Sequence, residues 1–138
     1  MRIAVIGSGN VGAALGRRWS EAGHDIVFGV RDPEADKVRD LLASAPGTHA
    51  DLVPAAAAAS EIVVLATPWE VSEDVVRGLG DLDSRILVDC TNPVQPDLAG
   101  LTVGHSVSAG EMIAGWAKPA KVVKAFNNTG ANNMLEPA

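Results

Sequence analysis

Arg2-Ile3-Ala4-Val5-Ile6 runs without a gap into Gly7-Ser8-Gly9-Asn10-Val11-Gly12, and that junction leaves few folds open. The first five residues are a short apolar run of the kind that forms a strand buried on both faces. After the glycines, Val11, Leu15 and Trp19 recur at i, i+4 and i+8, the spacing of one helix face. A second apolar run, Asp25-Ile26-Val27-Phe28-Gly29, ends in Val30-Arg31-Asp32. Strand, glycine turn, helix and strand in that order form the setting in which G-x-G-x-x-G predicts a dinucleotide site.

Each glycine has a physical task there. Gly7 turns the chain out of the strand through angles that a Cβ opposes. Gly9 has no side chain, so a pyrophosphate can approach the main chain, and Gly12 seats the helix tightly on the sheet. Ser8, Asn10 and Val11 complete the loop, and the helix aims its free N–H groups and positive dipole end at the phosphates.

The end of the second strand selects the dinucleotide. An acid about 20 residues past the glycines marks NAD, and a nearby arginine marks the 2′-phosphate of NADP. Arg31 is such a cation, with a planar fork suited to phosphate, and predicts NADP(H). Asp32 offers a competing reading as the ribose acid. Asp32-Pro33 also has the form of a helix N-cap followed by proline at N1.

The rest of the chain repeats the alternation. Pro33 to Ala43 is expected to be a helix with Val38, Leu41 and Leu42 on one face. A short strand is expected within 48–53, then an alanine-rich helix over 54–60 whose small side chains allow close packing on a sheet. Glu61-Ile62-Val63-Val64-Leu65-Ala66 is a buried strand running into Thr67-Pro68-Trp69-Glu70. Pro68 disfavours helix at Thr67 and makes that turn sharp. A helix to about Arg77 follows, with Val71, Val75 and Leu79 apolar. Arg85 to Asp89 is the next strand, leading into Cys90-Thr91-Asn92-Pro93. Ser108 and Glu111 have capping-box spacing for a helix through Trp116. Lys121 to Phe126 is a last strand, followed by Asn127 and a helical turn from about Gly130 to Leu135. This order predicts an α/β fold, a doubly wound parallel sheet of the Rossmann type occupying 1–138 as one domain. Ligands in such sheets bind beyond the carboxyl ends of the strands. That collects Gly7 to Gly12, Arg31, Ala66-Thr67-Pro68-Trp69 and Asn92-Pro93 as candidate cofactor-binding residues, with Asn127 a further candidate.

Composition narrows the partners. A net charge of −6 argues against nucleic acid or an anionic membrane surface. Phosphates must therefore be held by a local constellation. No run is long and apolar enough to span a membrane, and because Met1-Arg2-Ile3 enters a strand directly no signal peptide is expected. The single cysteine, Cys90, has no internal partner, and the cytoplasm is the expected compartment.

Gly7 to Gly12, Gly23-His24-Asp25, Gly29 to Pro33, Thr67 to Glu70, Asp89 to Pro93 and Val122 to Asn127 together resemble the NADP oxidoreductases dependent on the deazaflavin coenzyme F420. The resemblance implies a Rossmann domain for NADP(H), with hydride passing between nicotinamide C4 and deazaflavin C5. The family's serine-arginine pair for the 2′-phosphate falls on Val30 and Arg31, of which only the arginine is kept. Its proline-tryptophan turn beside the nicotinamide falls on Pro68 and Trp69. Members usually continue into a helical region that helps build the second-cofactor pocket and a homodimer, and this chain is expected to lack it.

Few side chains present themselves for catalysis. His24, His49 and His105 have no metal-ligand spacing, and Cys90 has no second cysteine, so no metal site is predicted. His24 precedes the second strand, at the wrong end of the sheet. His105 lies in a loop near the capping box and could approach the site. Cys90 is read as a small filler of a tight turn. Trp69 is either a wall beside the nicotinamide or a core filler. Asn92 and Asn127 could bind nicotinamide, ribose or a substrate carbonyl, or brace their own turns. No catalytic residue is assigned, which suits hydride transfer between cofactors that carry the bond chemistry themselves. The resemblance makes deazaflavin or flavin the expected electron partner. The alternatives are a reductase of a small imine or carbonyl, with a loop like that of the pyrroline-carboxylate reductases, and a nucleotide-binding module without catalysis.

Overall fold

The computed structural model describes residues 1–138 except Pro96, His105 and Ala138. Six strands form one sheet: β1 (Arg2–Ile6), β2 (Asp25–Val30), β3 (His49–Leu52), β4 (Ile62–Leu65), β5 (Ile86–Asp89) and β6 (Lys121–Lys124). All are parallel, in the order β3-β2-β1-β4-β5-β6. The chain starts in the middle, winds outward to β3, then crosses back beside β1 and winds the other way. The switch point lies between β1 and β4, where an α/β sheet opens a crevice at its carboxyl edge. The expected fold class is the observed one.

The strands alternate between two cores. Ile3, Val5, Ile26, Phe28 and Val64 face α1 (Asn10–Glu21), α2 (Asp36–Ser44) and α6 (Ala131–Leu135). Ala4, Ile6, Val27, Val63, Leu65 and Leu87 face α3 (Val53–Ala58), α4 (Trp69–Arg77) and α5 (Ala109–Trp116). Central strands buried on both faces need apolar residues at every position, which is why their sequences are continuous runs. The alanine run behaves as expected, with Ala56 and Ala57 fully buried against the sheet. Arg85 fixes the carboxyl end of α3, donating to the carbonyls of Ala57, Ala58 and Ser60.

Two expectations are corrected. Asp32-Pro33 does not cap a helix, because α2 begins at Asp36 with Ala35 as its N-cap. Asp32 instead closes a turn, its Oδ1 accepting from Glu34 N–H at 3.0 Å. The side-chain-to-backbone bond that serves an N-cap serves an Asx turn equally well. In α4 the apolar pattern splits: Val76 and the following Leu79 enter the core with Ser72, while Val71 is 45% exposed. The capping box of α5 is present as read, with Ser108 and Glu111 bonded reciprocally.

Gly16 sets how close α1 lies to β2. A Cβ there would stand 2.4 Å from Cζ of Phe28, a fully buried ring with no room to retreat. Overpacking costs about 1–3 kcal/mol, and alanine returns up to about 1 kcal/mol in helix propensity. Gly16→Ala should therefore lower Tm by roughly 3–8 °C in a thermal melt. An unchanged or raised Tm would show that the α1–β2 contact is looser than described.

Candidate functional site

The glycine loop is shaped by contacts with the two strands beside it. Gly7, at φ +112°, lies so near β4 that a Cβ would meet the Ala66 carbonyl oxygen at 2.5 Å. Its N–H donates to Gly29 O at 3.2 Å, which ties the turn to the end of β2. At Gly12 a Cβ would stand 2.2 Å from Gly7 O. Gly9 differs from both: a Cβ there would meet nothing within 4 Å. The protein itself does not require glycine at that position, so a demand for one must come from something that approaches from outside. Gly9 is also the N-cap of α1, with no side chain capping the helix and no acid in its first turn. The N–H groups of that turn point out of the sheet edge with the dipole behind them.

Beyond this loop lies a cleft of about 370 Å³. Gly7, Ser8 and Gly9 line it from β1, Gly29, Val30 and Arg31 from β2, and Ala66, Thr67 and Pro68 from β4. Val53, Val71 and Val75 add an apolar wall, and Lys37 a second cation. The turn after β4 is braced by Ser72, whose Oγ donates to Pro68 O at 2.9 Å and lies 3.0 Å from Thr67 Oγ1.

Other candidates sit elsewhere. Asn10 faces a smaller groove against α6, Val11 packs on the α1-side core, and Gly12 lies beneath the Gly7 carbonyl. Trp69 stacks on Trp116 with ring centroids 5.7 Å apart, filling the α4–α5 seam and not the cleft wall. Asn92 and Asn127 do meet: Asn92 Nδ2 donates to Asn127 O at 2.9 Å, binding the loop after β5 to the loop after β6. The Pro93 carbonyl accepts from Thr102 N–H and Oγ1–H and closes a small hairpin. His105 is outside the described residues. Cys90 is buried, and desolvation, helped by the nearby Asp89 carboxylate, pushes its thiol up to about 12. It is no thiolate nucleophile at neutral pH.

Two features escaped the sequence reading. Lys37 lines the cleft from the first turn of α2, which starts three residues later than its proline suggests. Asp89, fully buried, accepts from Thr91 N–H at 2.9 Å, Thr91 Oγ1–H at 2.7 Å and Lys124 Nζ at 3.0 Å. Lys124 comes from the neighbouring strand, and no local pattern announces a pair so far apart in sequence.

Residues 2–93 match the family described as NADP oxidoreductase, coenzyme F420-dependent. The chain belongs to this family. It is 32% identical to the F420-dependent NADP reductase of Methanothermobacter thermautotrophicus over 154 aligned residues, covering 99% of this chain and 65% of that protein. It therefore spans slightly less than two thirds of that relative's length. A solved structure from Arthrobacter sp. FB24, assigned provisionally as an F420-dependent NADP reductase, superposes with a TM-score of 0.89 at 32% identity. The overlap covers 98% of this chain and 66% of that one. A pyrroline-5-carboxylate reductase from Coxiella burnetii, at 21% identity and TM-score 0.65 over 88% of this chain and 42% of its own, shares the fold alone.

The three glycines separate into two kinds, and substitution should tell them apart. Gly9→Val costs the fold no more than about 1 kcal/mol as a poorer N-cap, yet should abolish binding of NADPH in a calorimetric titration. Gly12→Ala should destabilise by about 2–4 kcal/mol through its clash with the Gly7 carbonyl. A Gly9→Val protein that binds NADPH like wild type would remove the loop from the binding site.

Proposed function

We propose that this protein binds NADP(H) in the cleft above Gly7–Gly9 and passes hydride between its nicotinamide and a deazaflavin of the F420 type, or a flavin. The open space over Gly9, in a member of this family, carries the reading. Backbone N–H groups opening α1 would hold the pyrophosphate, Arg31 the 2′-phosphate, and Val53, Val71 and Val75 the adenine face. Ala66, Thr67 and Pro68 would border the nicotinamide half, with Asn92 and Pro93 further along the same edge. Trp69 would support that turn from behind. Bound NADPH supplies the hydride from nicotinamide C4. The chain's own residues hold and align the reactants and keep water away. The described residues lining the cleft include no carboxylate, imidazole or thiol, which suits a transfer needing no side-chain proton. We read 1–138 as one dinucleotide-binding domain, and we place it in a cytoplasmic homodimer. The single cysteine and the family resemblance support that setting, and among the described residues no helix is long and apolar enough to cross a membrane.

Mixing the protein with NADPH and oxidised F420 should consume NADPH only when both are present. Cys90→Ser and His105→Ala should each keep that turnover within about tenfold, less than the 10²–10⁴ typical of losing an acid or base. NADPH binding without turnover on F420 or flavin would contradict the hydride-transfer reading and favour a binding module. Turnover on small imines with F420 ignored would favour a small-molecule reductase.

Arg31 sets the second expectation. One charge-assisted contact contributes roughly 1.5–3 kcal/mol, and Val30 offers no second hydrogen bond beside it. NADPH should bind about tenfold more tightly than NADH. Arg31→Ala should weaken NADPH with NADH nearly unchanged, measured at one fixed salt concentration. A variant that loses both nucleotides alike would remove Arg31 from the phosphate.

A further inference from the structure

Ser72 occupies a core position on α4 that an apolar residue would suit better. It is fully buried and shares its face of the helix with Val76, which the core also buries. Alanine there would favour the helix, and a hydroxyl buried on an apolar face needs partners. Ser72 Oγ finds two, with Pro68 O at 2.9 Å and Thr67 Oγ1 at 3.0 Å. Both belong to the turn after β4 that lines the cleft, whereas Ser72 itself stands behind it. Local rules broken without a local gain tend to mark functional positions.

The direction of these two hydrogen bonds follows by elimination. A hydroxyl carries one hydrogen and two lone pairs, and a carbonyl oxygen only accepts. The Ser72 hydrogen therefore goes to Pro68 O. Turned the other way, it would leave two acceptor oxygens facing each other at 2.9 Å in a buried place. Ser72 Oγ then has only lone pairs to offer Thr67, so the Thr67 hydrogen points back at Ser72. Among the described residues nothing else bonds to Thr67 Oγ1. Thr67 lines the cleft, and what its hydroxyl has left for a ligand is an acceptor.

We infer that Ser72 is a positioning residue that fixes Thr67 as a hydrogen-bond acceptor for the carboxamide N–H2 group of the nicotinamide. The inference rests on the reading of the cleft as the NADP(H) site and assigns one group of the dinucleotide to one oxygen. A ribose hydroxyl can turn its hydrogen to suit either kind of partner, so a fixed direction opposite it brings nothing. An amide cannot: its N–H2 end only donates and its oxygen only accepts. A fixed acceptor selects the N–H2 end, sets which way the carboxamide lies, and so helps aim the ring carbon that carries the hydride.

The test is calorimetry on wild type, Ser72→Ala, Thr67→Val and Thr67→Ser with three probes. These are NADP⁺, nicotinic acid adenine dinucleotide phosphate, in which a carboxylate replaces the carboxamide, and 2′,5′-ADP, which has no nicotinamide half. Wild type should prefer NADP⁺ to the nicotinic acid nucleotide, because a carboxylate has no hydrogen to give Thr67. Ser72→Ala frees the Thr67 hydrogen to donate to that carboxylate and should narrow the preference about tenfold. Thr67→Val should weaken NADP⁺ about three- to tenfold, the size of one neutral hydrogen bond, and Thr67→Ser should stay near wild type. All four proteins should bind 2′,5′-ADP alike, which also shows that the site is folded. If Ser72→Ala leaves the preference unaltered, or weakens all three probes together, Ser72 does not set the direction and the assignment falls while the reading of the cleft survives. Loss of 2′,5′-ADP by Thr67→Val would put the hydroxyl against the adenine half and overturn the assignment as well. A wild type that binds none of the three overturns the reading of the cleft and the assignment with it.

Discussion

The approach of α1 to the turn that ends β1 governs this molecule. Gly12 lies so close to the Gly7 carbonyl that a single added carbon would stand 2.2 Å from the oxygen. Gly7 is pressed against the Ala66 carbonyl in the same way, and its N–H reaches Gly29 O. One turn thereby fixes the ends of β1, β2 and β4 relative to one another. The helix amino terminus, Arg31 just past β2 and the Thr67-Pro68 turn after β4 converge on one cleft because Gly7 and Gly12 leave no room for a side chain at these contacts. Gly9 is the counterpart: it is open where its neighbours are crowded, and that opening is where we propose a phosphate sits.

The far side of the carboxyl edge is held by charge. Asp89 has no exposure, and burying a carboxylate without partners is costly. It is matched by Lys124 from β6 and by both donors of Thr91. Lys124 also donates to the Thr91 carbonyl, and Asn92 extends the connection to Asn127. The loops after β5 and β6 are thus bound to each other before any ligand arrives. Asn92 acts here as a brace, one of the two roles its sequence context allowed, and that bond leaves less of the side chain for a substrate.

Local pattern carried the fold. Buried parallel strands are continuous apolar runs, and glycines that break a strand into a helix have few other uses, so the alternation and the loop were both legible. What pattern could not carry was direction. Trp69 opens a helix, and nothing nearby in sequence says that its ring turns toward Trp116 on α5 and away from the cleft. Asp32-Pro33 has the composition of a cap, but the same bond closes an Asx turn, and the helix waits until Asp36. Lys37, in the first turn of that helix, lines the cleft. Val71 belongs to the cleft wall, Val76 to the core and Val75 to both, a division set by the neighbours of α4. The Asp89–Lys124 pair joins two strands that sit side by side only after folding.

The central claim is that one cleft, floored by Gly7–Gly9 and bounded by the ends of β2 and β4, receives the dinucleotide. A crystal structure of the protein grown with NADP⁺ tests it most directly. The account predicts the pyrophosphate over Gly9 within hydrogen-bond distance of the N–H groups opening α1. It also predicts the 2′-phosphate against Arg31, and the nicotinamide half along Thr67 and Pro68. A nucleotide bound elsewhere, or a ribose held by Asp32 with Arg31 turned away, would contradict it.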